Sequence, residues 1–266
     1  MRLKLFFALA VVSGLSFSQL KAQQTAKITS SGIGFLEYLP DGYKTNNNDY
    51  PIVIFLHGIG EKGTTSTDPT TLLNSVWKVA NVGLPKYIKY GAKYPFLMIA
   101  PQLKSSYGLW PANYVMDVLN YVKKYLRIDE RRIYITGLSL GGYGTWTTLG
   151  AYPEVFAASV PICSGGNVLS KACAIAAENI PIWAFHGTAD DVVSYTVTTK
   201  MIDAINACTP KPNPLAKYTL FSGVNHNAWD KTYKETNALT WMLSFTNGSS
   251  TPTTTTNVAP VANAGA

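Results

Sequence analysis

The chain has 266 residues, 47% of them apolar and 14% charged, with a formal charge of +7. That supply of apolar residues is enough for a sizeable core and excludes a disordered chain. The leader over residues 1–22 holds Arg2, Lys4 and Lys21 and no acid, which leaves +4 after its removal. Basic residues elsewhere come as short pairs such as Lys123-Lys124 and Arg131-Arg132, so no nucleic-acid surface is expected.

Residues 1–22 read as an export signal: a short basic start, an apolar run over 5–15, then a polar stretch ending at Ala22. The run is short for a bilayer span, so the mature protein is expected to be secreted or periplasmic, without stable membrane insertion. A retained N-terminal anchor is the alternative. One domain is expected over 23–246. Within it, residues 51–56, 95–100, 132–136, 156–162, 180–185 and 217–221 are short, largely apolar runs of strand length. Helical spacing appears over 112–126, 140–152, 197–207 and 232–245. Strands alternating with helices predict a mostly parallel central sheet with helices on both faces. Residues 247–257 contain no apolar residue and read as a Thr/Ser-rich linker. The stub over 258–266 resembles the opening of an immunoglobulin-like PKD repeat, as expected of a fragment or of a chain cut short by an early stop; whether further domains follow Ala266 is left open.

Three cysteines, Cys163, Cys173 and Cys208, permit one disulfide in an exported protein, with the pairing open. No Cys-x-x-Cys or Cys/His cluster occurs, so neither a metal nor another cofactor is expected.

The most informative segment is Gly137-Leu138-Ser139-Leu140-Gly141, between a strand and a helix. Glycines on either side allow a sharp turn that leaves the serine hydroxyl exposed at the head of the helix. A serine needs a base, normally histidine, and the chain has three: His57, His186 and His226. With the acid placed between serine and histidine, only His226 comes late enough. Among the intervening acids, Asp190 and Asp191 follow a strand end, where sites on parallel sheets form. Asp190 is preferred and Asp191 is the alternative. An oxyanion needs two donors. The amide of Leu140 is one; the other comes from the His57-Gly58-Ile59-Gly60 loop, with Ile59 preferred and Gly58 next. His57 and His186 read as structural. Trp110 and Trp229 lie near predicted strand ends or site loops, where they could line an acyl pocket or simply pack the core.

The motifs HGIG, GLSLGG, WAFHGTAD and NHNAWD resemble the dienelactone-hydrolase/esterase branch of the α/β-hydrolases, over about residues 33–245. More narrowly they are similar to secreted bacterial feruloyl and acetylxylan esterases, polyhydroxybutyrate depolymerases and predicted peptidases. The resemblance implies an α/β-hydrolase fold with Ser139, Asp190 and His226 as triad and the Leu140 and Ile59 amides as oxyanion hole. The absence of a long insertion after the GxSxG turn implies little or no lid. The expected substrate is a small-molecule or polysaccharide-linked ester, feruloyl or acetyl. Peptide, polyester and lipid ester are the alternatives, and a non-catalytic binding module is the rival from another class. Oligomeric state is left open.

Overall fold

The computed structural model describes residues 24–247. The expected leader, all but the first residue of the linker, and the stub lie outside the described residues.

In chain order the elements are β1 (Gln24–Ile28), β2 (Gly34–Tyr38), β3 (Tyr50–Leu56), α1 (Pro69–Val76), α2 (Gly83–Lys89), β4 (Leu97–Pro101), α3 (Ala112–Lys123) and β5 (Ile128–Leu138). There follow α4 (Leu140–Ala151), β6 (Ala158–Ile162), α5 (Ala172–Ala177), β7 (Trp183–Gly187), α6 (Thr196–Asn206), β8 (Lys217–Phe221), α7 (Ala228–Glu235) and α8 (Ala238–Leu243). The eight strands form one sheet in the order β1-β2-β4-β3-β5-β6-β7-β8. β1 and β2 pair antiparallel, as do β2 and β4; every other pairing is parallel. This is the α/β-hydrolase fold.

Burial on both faces explains why the strands are apolar runs rather than alternating patterns. Successive side chains of a strand point to opposite faces. In β3, Ile52, Ile54 and Leu56 accordingly join the core beneath α3, α4, α5 and α6. Val53 and Phe55 join a second core beneath α2, α7 and α8.

Two differences from the sequence reading have local causes. The expected continuous helix over 232–245 is broken. Thr236 is extended (φ −118°, ψ 166°), its hydroxyl donates to the Thr232 carbonyl at 2.6 Å and accepts from the Ala238 amide at 3.1 Å. A threonine hydroxyl that bonds the backbone in this way competes with the helical ladder. The hairpin β1–β2 and the helices α1, α2 and α5 were not anticipated. For α1 the signal was present: Asp68 caps it by accepting from the Thr71 amide at 2.7 Å, and Pro69 opens its first turn.

The parallel arrangement brings the carboxyl ends of β3, β5, β7 and β8 to one edge of the sheet. Only α5 and a single 3-10 turn interrupt the connection from β6 to β7. Among the described residues no helix is long and apolar enough to cross a membrane.

Candidate active site

Ser139 occupies the one-residue turn between β5 and α4, with φ 52° and ψ −119°. A positive φ is costly for a residue with a Cβ, of order 1–3 kcal/mol, and persists only where the surroundings hold it. They do so here by close approach. A Cβ on Gly141 would lie 2.0 Å from the Leu56 carbonyl oxygen, and one on Gly137 would lie 2.4 Å from that of Gly141. Only glycine lets α4 start this near to β3 and β5. The Ser139 amide is tied to the Ile162 carbonyl at the end of β6, at 3.0 Å.

His226 stands on the loop after β8. The Ser139 hydroxyl donates to its Nε2 at 2.8 Å, and its Nδ1 donates to Asp190 Oδ2 at 2.7 Å. Asp190 follows β7, and its side chain is fully buried. Its other oxygen, Oδ1, accepts from the amides of Val192 and Val193 at 2.9 and 2.8 Å. Burial pushes the Asp190 carboxyl up, but the Val193 amide, the His226 imidazole and the Val192 amide more than offset this and hold it below the usual carboxylate value. The structure thus brings Ser139, His226 and Asp190 into one hydrogen-bonded chain. Asp191, the alternative acid, is exposed on the same loop.

The His57–Gly60 loop follows β3 and runs beside the serine: a Cβ on Gly58 would lie 3.8 Å from that of Ser139. Ile59 is 70% exposed and opens a short 3-10 turn. Leu140 is the first residue of α4, where backbone N–H groups have no partner within the helix. His57 is fully buried and holds the loop. Its Nδ1 donates to the Gly58 carbonyl at 2.6 Å and its Nε2 accepts from the Leu103 amide at 3.0 Å. Burial lowers its pKa to about 4, which keeps it neutral and able to accept that bond.

The two tryptophans part company. Trp110 is 1% exposed, its indole N–H donates to the His57 carbonyl at 3.3 Å, and it packs against Gly144 of α4. It supports the site from below and has no face left for a substrate. Trp229 is half-buried, edge-on to the His226 ring with centroids 5.5 Å apart.

Two neighbours of the chain were not assigned to it from sequence. The buried His186, on β7, reaches Asp190 Oδ2 with its Nε2 at 3.0 Å. Its spacing four residues before Asp190, across the turn that ends the strand, was the available signal. Cys163, just past β6, donates its Sγ hydrogen to the His226 carbonyl at 3.0 Å. Donor atoms of Cys163, Asp190 and His226 lie within 4.8 Å of one another. Burial, however, pushes the Cys163 thiol up to about 12, so it sits there as a hydrogen-bond donor and not as a thiolate ligand.

Known proteins similar to this chain are esterases and a depolymerase. A bifunctional acetylxylan esterase/xylanase of Neocallimastix patriciarum is 31% identical over 106 residues, covering 38% of this chain and 15% of that protein. Poly(3-hydroxyalkanoate) depolymerase C of Paucimonas lemoignei is 24% identical over 184 residues, covering 62% of this chain and 40% of that one. The chain therefore spans less than half the length of either curated relative. Among solved structures, a thermostable esterase superposes with a TM-score of 0.64 at 28% identity, over 84% of this chain and 62% of the other. The feruloyl esterase module of Clostridium thermocellum superposes with a TM-score of 0.58 over 83% of this chain and 87% of the module; at 18% identity it speaks for the fold alone. The profile of the family described as Phospholipase/Carboxylesterase matches residues 44–239, most of the chain including all three members of the Ser139–His226–Asp190 array, and the chain belongs to that family.

Proposed function

We propose that the protein is an exported serine esterase that cleaves acetyl or feruloyl esters carried on polysaccharide. The reading rests on one observation: the relay from Ser139 Oγ through His226 to a buried carboxylate, with bonds of 2.8 and 2.7 Å. Ser139 Oγ attacks the ester carbonyl as its proton passes to His226 Nε2. The oxyanion is met by the amides of Leu140 and Ile59. Nε2 then returns the proton to the departing alcohol, leaving an acyl-serine. A water enters, gives its proton to Nε2 and attacks the acyl carbon; the acid leaves and Ser139 recovers its hydrogen. Asp190 keeps Nδ1 protonated and balances the imidazolium that forms at each step. These steps use side chains and backbone only.

Export is supported by the N-terminal leader and by the disulfide between Cys173 and Cys208, which an oxidising compartment favours. The polysaccharide ester is supported by the similarity to the acetylxylan esterase/xylanase. The position of Trp229 beside the His226 ring supports a contact with the acyl group. The similarity to a poly(3-hydroxyalkanoate) depolymerase favours a polyester as the second reading.

The test is a substrate panel: acetylxylan, feruloylated xylan oligomers, a short-chain polyhydroxyalkanoate, an aryl acetate and a peptide amide, with fluorophosphonate labelling alongside. Turnover of the xylan esters above the polyester, and labelling lost in Ser139→Ala, are expected. Undiminished aryl-ester hydrolysis by Ser139→Ala would end the serine reading; preference for the polyester would end the polysaccharide one.

A further inference from the structure

Asp190 Oδ2 accepts from two imidazoles. His226 Nδ1 lies at 2.7 Å and His186 Nε2 at 3.0 Å. Together with the Val192 and Val193 amides on Oδ1, they fill the four acceptor positions of the carboxylate. The protonation of His186 follows from its partners. Nε2 faces Asp190 Oδ2 and, at 2.9 Å, the Val193 carbonyl. Both can only accept, so Nε2 carries a hydrogen. The ring is fixed from its other side: Thr198 Oγ1 lies 2.7 Å from Nδ1 and 2.6 Å from the Ser164 carbonyl, and its single hydrogen serves both. His186 is completely buried, which a surface turn residue would not be.

We propose that His186 is a positioning residue for the relay: it donates Nε2–H to the same carboxylate oxygen that holds His226, and so sets both the aim of Asp190 and the proton affinity of His226. The inference rests on the reading of Ser139, His226 and Asp190 as the catalytic set. With two donors on Oδ2, the negative charge facing His226 is divided. Removing the His186 donor leaves that charge to His226 alone, favours its imidazolium, and makes it take up its proton at higher pH.

The titratable groups facing this pair are few. Cys163 lies at the end of β6 and Tyr143 on α4; burial raises both, and the Asp190 charge adds to each. Both stay protonated across about pH 5 to 8.

Two variants and one measurement on the unaltered protein decide the matter. His186→Phe keeps a ring of similar size with no donor; His186→Gln places an amide N–H near the position of Nε2. In His186→Phe the acid limb of the kcat/KM profile on an aryl acetate is expected to move up by about half a pH unit or more, with kcat down roughly tenfold. His186→Gln is expected to return the limb towards its original place. A merely structural histidine would lower stability without moving the limb. If His186→Phe folds and the limb stays put, or if Gln and Phe move it alike, the proposal is overturned. Should His186→Phe fail to fold, nitrogen NMR of the unaltered protein still decides, and the chain has only three histidines to assign. A hydrogen on His186 Nε2 at neutral pH is expected, and a bare Nε2 overturns the proposal. That spectrum needs no turnover. An inactive protein with the expected spectrum would therefore count against the esterase reading and not against the role of His186.

Discussion

At the scale of single residues, the contrast between Asp190 and Asp191 shows what the fold adds to a motif. Both follow β7, and a reading by position can only rank them. In the structure one carboxylate is fully buried on His226 and bonded to two backbone amides, and its neighbour is exposed. Asp190→Asn is therefore expected to lower kcat by about 10⁴-fold, because an amide facing Nδ1 no longer holds the imidazole in the required tautomer. Asp191→Asn is expected to leave kcat within about twofold, as exposed substitutions away from a site do. Steady-state kinetics of the pair checks both, and comparable losses in the two would contradict the assignment. Ser139 and His226 were nameable beforehand, and Asp190 as the preferred of two acids, because the chemistry demands particular residue types in a particular order. The roles of Trp110 and His186 were not, because they depend on which way a buried side chain faces.

At the scale of elements, the decisive contact is the start of α4 against the end of β3. A methyl group on Gly141 would meet the Leu56 carbonyl oxygen at 2.0 Å, which the backbone can relieve only by moving α4. That motion carries Ser139 and the Leu140 amide with it. Gly141→Ala is expected to cost about 2 kcal/mol or more in stability and at least tenfold in kcat, read by urea unfolding and aryl-acetate turnover. The Cys173–Cys208 disulfide acts on another element pair. It joins α5 to the second residue beyond α6 across a separation of 35, a stretch that contains β7, His186 and Asp190. Closing a loop of that length restricts the unfolded chain by about 3–4 kcal/mol. The double variant Cys173→Ser/Cys208→Ser should lose a stability of that order, and a reductant should reproduce the loss in the original protein. The element reading was strongest for the central strands, whose apolar runs exceed anything near them. It failed at the polar β1 and at the break between α7 and α8, where a threonine hydroxyl outcompetes the helical pattern.

At the scale of the whole molecule, the buried histidines tie stability to pH. His57 has its pKa lowered to about 4 from 6.5 by burial. Above about pH 6.5 both folded and unfolded states hold it neutral, and its contribution to stability is fully present. As pH falls from there towards 4 the unfolded chain takes up a proton that the folded one refuses, and roughly 3 kcal/mol is lost. His186, lowered by burial, acts in the same direction. The urea midpoint is thus expected to fall from pH 7 to pH 4.5, and His57→Gln, less stable at pH 7, should show a shallower fall. An equally steep fall in that variant would remove His57 as the cause.

The parallel sheet, the serine turn and the choice of His226 as candidate base were all written in local features: apolar runs, glycine spacing and residue order. Local features suffice there because each is forced by a short stretch of chain. The choice of Asp190 over Asp191, the Cys173–Cys208 pairing, the burial of Trp110 and the second imidazole on Asp190 were decided only by the folded chain. Each depends on residues far apart in sequence coming together, and the register and packing that bring them together belong to no single segment.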